Sequence, residues 1–387
     1  MTDASSAILI IGGGQAAVQA ADTLRREGHA GSITLIAAET ALPYHRPPLS
    51  KACLMAPDAA PPLLKPEAFY ADKHIDLRRG CRATALDPVA RRVTLADGSS
   101  LSYDRLLLAT GGSVRRLPLA EALPAQRVHY LKTAADAHRL QAAMRPGARV
   151  AVIGAGFIGL EFAAAARQQG LEVTVFEAAD RVLARVTRPE VSAHFQRVHA
   201  KQGVSLLLGV SLSGLSLQTD GAAGEAVIVH TDAGRHVVDF IVVGIGVTPN
   251  DSLARDAGLH CEQGIVVNAA CRTSDPYIHA AGDCARAPRA GHPGLWRLES
   301  VDNAVSQGVV AARAMLGKDA LLDAVPWFWS DQYDDKLIII GLSTSHDEVV
   351  VRGDPAAGAF SLCYLREGRL IAVDCVNRGA DSVAARK

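Results

Sequence analysis

A short apolar run that stops at a glycine cluster restricts topology more than any other local pattern, and this chain carries it twice. The first copy reads Ala7-Ile8-Leu9-Ile10-Ile11, then Gly12-Gly13-Gly14-Gln15-Ala16-Ala17. The second reads Arg149-Val150-Ala151-Val152-Ile153, then Gly154-Ala155-Gly156-Phe157-Ile158-Gly159. Each run is short and bounded by glycine, as a strand buried in a parallel sheet requires. Each glycine cluster opens a helical stripe: Ala17, Ala20, Ala21 and Leu24 in the first copy, Gly159, Phe162, Ala163 and Ala166 in the second. A second strand follows in both. Ser32-Ile33-Thr34-Leu35-Ile36 leads to Glu39, and Glu172-Val173-Thr174-Val175-Phe176 leads to Glu177. Two strand–helix–strand units, with a carboxylate 25 residues after Gly14 in one and 21 after Gly156 in the other, predict two nucleotide-binding modules of one kind.

Each copy continues with hairpin material. Asp97-Gly98 lies between Arg92–Leu95 and Leu101–Tyr103, while Asp220-Gly221 and Asp232-Ala233-Gly234 flank Ala226–Val229. Each then closes on an apolar run ending in glycine, Leu106–Gly111 and Phe240–Gly246. Beyond about residue 323 the texture changes to an aromatic cluster followed by short apolar strands such as Lys336–Gly341. At 387 residues the chain has room for two or three domains of roughly 150 residues.

Composition excludes several classes. Forty basic and forty acidic side chains leave no net charge, which argues against bulk binding to nucleic acid or anionic membranes. The most apolar stretch, Val150–Ala166, is broken by three glycines and Glu161, so no membrane span is expected. The first residues lack a basic segment, and a cytoplasmic location is expected. Seven cysteines form no CxxC, so neither a local dithiol centre nor a metal site is expected.

In the glycine turn the first glycine makes the sharp bend, the second admits a pyrophosphate to the backbone, and the third lets helix and strand pack closely. The phosphates sit on free N–H groups at the positive helix end. Gly12, Gly14 and Ala17 fill these places in the first copy, and Gly154, Gly156 and Gly159 in the second. Glu39 and Glu177 can accept from a ribose diol. Glu177 would repel a 2′-phosphate, and Ala178 and Ala179 offer it no cation, so NAD is expected over NADP.

Asp283, in Ala280-Ala281-Gly282-Asp283-Cys284, follows a strand; it can bind a ligand polyol, cap a following helix, or do both. Cys284 reads as a small packing residue. The loop Pro43-Tyr44-His45-Arg46-Pro47-Pro48-Leu49-Ser50-Lys51 is stiffened by its prolines, and a cation on it can face an electron-accepting ring. Pro326-Trp327-Phe328-Trp329-Ser330-Asp331-Gln332-Tyr333 is either a wedge in the core or an aromatic wall at a ligand.

Together these segments, with Ala109-Thr110-Gly111, Leu160-Glu161 and Gly244-Ile245-Gly246, resemble the FAD-containing, NADH-dependent ferredoxin reductases of bacterial oxygenase systems over essentially the whole chain. The proline-rich loop and the aromatic motif are the most specific signals. The resemblance implies an α/β chain with two Rossmann-like, glutathione-reductase-like domains and a C-terminal α+β domain. Residues 1–112 and 241–322 would bind FAD, 113–240 NAD, and 323–387 would form an interface domain.

FAD contacts are implied at Gly12, Gly14, Ala16, Glu39, Arg46, Lys51, Ala83, Thr110, Gly111, Lys132, Gly282, Asp283, Val301 and Trp329. Ala83 stands where valine is common, and Lys132 where arginine is. NADH contacts are implied at Gly154, Gly156, Ile158, Gly159, Glu177 and Gly246, with Glu161 beside the nicotinamide and paired with Lys51. Lys51, Glu161 and Trp329 are the residues expected to tune hydride uptake and electron exit. The implied partner is a separate [2Fe–2S] ferredoxin of an aromatic-ring dioxygenase or cytochrome P450 system, with Arg286, Arg289 and Arg297 as candidate docking cations and the reductase a monomer or homodimer. Two other readings keep the flavin: an NADH oxidase or peroxidase using a loop cysteine such as Cys53, and a flavoprotein of the apoptosis-inducing-factor type that senses NADH.

Overall fold

The computed structural model describes residues 6–56, 59–220 and 224–386. The expected turn at Asp220-Gly221 falls partly outside the described residues. Two compact units emerge. One contains 1–45, 62–113 and 248–328; the other contains 46–61, 114–247 and 329–387.

The first unit is built on a five-stranded parallel sheet with the spatial order Ile278–Ala280, Arg105–Leu108, Ile8–Ile11, Ile33–Ala37, Ile75–Arg79. All four residues of Ile8–Ile11 are buried, as a central strand covered on both faces must be. Helix Gln15–Arg26 lies on the sheet through Ala17, Ala20, Ala21 and Leu24, none of which is exposed. Helix Val301–Met315 packs on that helix at Gly308, where a Cβ would stand 2.7 Å from the carbonyl oxygen of Ala16. An antiparallel sheet of Ala83–Asp87, Arg92–Leu95 and Ser100–Ser102 completes the first module.

The second unit repeats the plan. Its parallel sheet runs Val128–His129, Phe240–Val243, Arg149–Ile153, Glu172–Glu177, Ser205–Leu208. Helix Phe157–Gln168 buries Gly159, Phe162, Ala163 and Ala166, and a second antiparallel sheet spans Leu212–Asp220, Gly224–Thr231 and Gly234–Val238. The repeat differs in its outer strand. In the first unit that strand comes late in the chain, at Ile278–Ala280; in the second it comes early, at Val128–His129.

The second unit also carries an antiparallel five-stranded sheet in the order Trp327–Gln332, Asp335–Gly341, Arg369–Val376, Ala359–Arg366, Glu348–Asp354, with the short helix Gly379–Ala385. The α/β architecture with a C-terminal α+β part is therefore as expected. One sequence expectation fails. No helix follows Asp283; Ala285–Arg289 is a strand, so Asp283 is not an N-cap. No helix among the described residues is long and apolar enough to cross a membrane.

Candidate functional site

In the first unit the chain turns sharply at Gly12, whose φ of +136° and 2.1 Å Cβ-to-oxygen approach to Ala109 admit no side chain. Gly14 then starts helix Gln15–Arg26 in an extended conformation with no side-chain cap. The first-turn N–H groups of a helix have no partner inside it. Nothing stands within 4 Å of a Cβ on Gly14, so the approach to those groups is open. This uncapped, open helix start fits a pyrophosphate.

Glu39 is half-buried at the tip of the second strand and accepts from the Tyr44 hydroxyl at 2.5 Å. Thr110 is tied down by Asn250: its hydroxyl donates to the Asn250 carbonyl at 2.6 Å, and the Asn250 amide donates back at 2.9 Å. Gly111 follows with φ +67° and open space around it. Ala16 touches the Gly282 turn, where a Cβ would stand 3.2 Å from its methyl. Asp283 is half-buried, Ala83 opens its strand, and Val301 starts its helix behind the Ser300 cap.

Sequence reasoning missed what supports the Gly282-Asp283 turn. Gln307 is fully buried and its Oε1 accepts from the Gly282 N–H at 2.7 Å. Asn303, one turn earlier and equally buried, accepts from Arg289. The available signal was a pair of amides at i and i+4 inside an otherwise apolar helix face. Arg289 is only 5% exposed, and burial pushes its guanidinium down, so it is a structural cation and not a docking one. Arg286 and Arg297 pair with Glu262 and Glu299 at 2.7 and 2.6 Å.

In the second unit Gly154 repeats the bend at φ +101°, and Gly156 begins helix Phe157–Gln168 in extended conformation with no side-chain cap. Ile158, in the first turn, leaves 45% of its surface exposed, an apolar face suited to a flat ligand. Glu177 is more than a solvated strand end. Its two oxygens accept from the backbone N–H of Ala155 at 2.7 Å and of Ala179 at 2.9 Å, so it is held against the glycine turn. Arg181, the nearest cation in sequence, is spent on the Thr187 and Ala184 carbonyls and on Ser192. Arg185 was missed; its guanidinium comes within 3.7 Å of the place a Gly246 side chain would start.

Glu161 is 4% exposed, and an isolated carboxylate is not stable there. It is matched by Lys51, whose Nζ is 2.6 Å away, and by the hydroxyls of Ser50 at 2.5 Å and Ser330 at 2.7 Å. The one-turn 3₁₀ helix Pro47–Ser50, set by its two leading prolines, delivers Ser50 and Lys51. Arg46 precedes it and donates to the Lys132 carbonyl at 2.7 Å. Trp329 is half-buried on strand Trp327–Gln332. Alternation along this strand puts Ser330 and Gln332 on the opposite, buried face. The motif that reads as aromatic thus presents a polar face inward.

None of the seven cysteines is bonded to another. Cys53 is buried and burial pushes its thiol up, away from the reactive thiolate; Cys284 is fully buried. Among the described residues no cluster of potential metal ligands occurs.

The chain belongs to the pyridine nucleotide-disulphide oxidoreductase family, which it matches over residues 6–308, and residues 327–387 match the reductase C-terminal family. It is 45% identical to rhodocoxin reductase of Rhodococcus erythropolis, covering 98% of this chain and 88% of the relative. It is 43% identical to the anthranilate 1,2-dioxygenase system ferredoxin–NAD(+) reductase component of Burkholderia cepacia, covering 98% and 93%. The crystal structure of the covalent putidaredoxin reductase–putidaredoxin complex superposes with a TM-score of 0.94 at 40% identity, covering 99% of this chain and 93% of that one. The chain is thus an oxidoreductase of the family its motifs resemble.

Proposed function

We propose that this chain passes electrons from NADH through FAD to a [2Fe–2S] ferredoxin that serves an oxygenase, either an aromatic-ring dioxygenase or a cytochrome P450. Residues 1–112 and 241–322 hold FAD, 113–240 hold NADH, and 323–387 form the interface domain. FAD supplies two-electron uptake and one-electron release when bound. The chain's part is to bind and orient. Gly12, Gly14 and Ala16 receive the FAD pyrophosphate, Glu39 its ribose, and Thr110, Gly111, Gly282, Asp283 and Val301 line its path, with Ala83, Arg46 and Lys132 at its edges. Gly154, Gly156, Ile158, Gly159 and Gly246 receive NADH, and Glu177 takes its ribose diol. Lys51 presents a cation to the flavin, Glu161 holds that cation and orders the nicotinamide, and Trp329 stands at the electron exit. The protein works in the cytoplasm as a monomer or homodimer.

One observation carries the choice of acceptor. On the proline-rich loop Lys51 is ion-paired to buried Glu161, while Cys53, the cysteine an oxidase or peroxidase would need as a thiolate, is buried with its thiol pushed up. Anaerobic titration of the yellow protein with NADH, followed by stopped-flow addition of [2Fe–2S] ferredoxins, tests it. Fast single-electron reduction of a ferredoxin, with peroxide turnover slow and indifferent to thiol alkylation, is expected. Peroxide or oxygen turnover that outpaces every ferredoxin and is abolished by alkylation would overturn it.

A further inference from the structure

Behind Glu161 the second unit buries a line of uncharged polar groups that the proposed electron path does not use. Ser330 Oγ is 2.7 Å from Glu161 Oε1, Gln332 Nε2 is 3.2 Å from Ser330 Oγ, and Gln332 Oε1 is 2.9 Å from His199 Nε2. All three side chains are 0–1% exposed, so water cannot substitute for any link. The line joins helix Phe157–Gln168 through strand Trp327–Gln332 to helix Pro189–Lys201.

Hydrogen-bond chemistry gives this line one direction. An ionised carboxylate only accepts, so Ser330 spends its single proton on Glu161. Its oxygen must then accept from the Gln332 amide nitrogen. That leaves the Gln332 carbonyl facing His199, which must donate from Nε2. Among the described residues His199 Nδ1 is buried without a hydrogen-bond partner, and burial pushes the imidazole below its ordinary range, so the ring is neutral with its proton on Nε2. Among the described residues the charged and titratable neighbours include Lys51 at Glu161, the Tyr333 ring 5.2 Å from His199, Arg167 acting on Tyr333, and Asp335 acting on His199 from a distance. Aligned donors in a dry interior polarise one another toward the charge at the end.

We propose that His199, Gln332 and Ser330 are positioning residues: a one-way donor line that holds Glu161 Oε1 turned away from Lys51, leaving Oε2 to hold the lysine. The inference rests on the proposed role of Lys51 and Glu161. It adds that the C-terminal sheet sets which oxygen of Glu161 faces the lysine.

The test uses the flavin-loaded protein without NADH. Infrared difference spectra, with Glu161→Gln as the reference, report the carboxylate stretching bands of Glu161. Ser330→Ala should shift those bands, because Oε1 loses its donor. Gln332→Met should shift them by less, because Ser330 keeps its proton on the carboxylate. Ser330→Thr should restore the native bands. A folded Ser330→Ala protein with unchanged bands overturns the proposal. So does nitrogen-15 NMR of the unmutated protein showing the His199 proton on Nδ1, which needs no variant to fold. The functional reading fails separately: it falls if Lys51→Met and Glu161→Gln leave the rate of flavin reduction by NADH unchanged, whatever the infrared shows.

Discussion

The two glycine turns look interchangeable as strings of letters but are held in different ways. In the first, the third glycine position is Ala17, fully buried yet accommodated. In the second it is Gly159, where a Cβ would lie 2.1 Å from the Gly154 carbonyl oxygen and 3.3 Å from Val152. The second helix therefore sits closer to its strand. The acidic residues differ too. Glu39 is steadied by a side chain, Tyr44, whereas Glu177 is steadied by backbone N–H groups of its own turn. A shared motif thus fixes where a nucleotide can lie, while helix–strand spacing fixes which substitutions each copy tolerates.

The largest expected effect breaks this comparison most directly. Gly159→Ala forces its methyl against the Gly154 carbonyl, which cannot rotate away, and should cost about 3 kcal/mol or more in denaturant unfolding. Ala17→Gly in the other copy should cost only about 1 kcal/mol. Equal losses would mean that the two helices pack alike.

A second prediction concerns a buried carboxylate of the second unit. Asp374 is 1% exposed and accepts from the hydroxyls of Thr187 at 2.6 Å and Tyr364 at 2.7 Å. Burial pushes its carboxyl from the ordinary 3.8 up to about 6. Between those values the native state holds the proton more tightly than the unfolded one. Its contribution is then complete below the unfolded value and is lost as pH rises through 6. The loss is on the order of 2–3 kcal/mol. Asp374→Asn should remove that slope from stability measured between pH 4 and 7, and an unchanged slope would assign it elsewhere.

The smallest effect concerns the nucleotide. Glu177→Gln combined with Ala178→Arg should narrow the NADH/NADPH ratio of kcat/KM by about tenfold, the scale of one charge-assisted phosphate contact. A ratio that does not move would show that the ribose end is read by other groups, Arg185 first among them.

Much of the fold is legible in local pattern because a parallel strand buried on both faces must be an unbroken apolar run, and the turn after it must be glycine. Ile8–Ile11, Arg149–Ile153 and both helical stripes follow from that. The outer strand Val128–His129 does not, since two residues carry no period. Asp283 misleads for a related reason: a polar residue after a strand can cap a helix or end a turn, and only the strand at Ala285–Arg289 decides.

The site divides along the same line. Glycines, strand-tip carboxylates and the proline-rich loop announce themselves because each depends on neighbours in sequence. Glu161 and the polar line behind it draw on three segments far apart in sequence, Ser50-Lys51, His199 and the strand that carries Ser330 and Gln332. Sequence alone determined that this chain folds two nucleotide cradles, because that information is local and periodic. Tertiary structure alone decided which buried polar groups meet, because a carboxylate without water takes its partners from whatever the packing brings within about 3 Å.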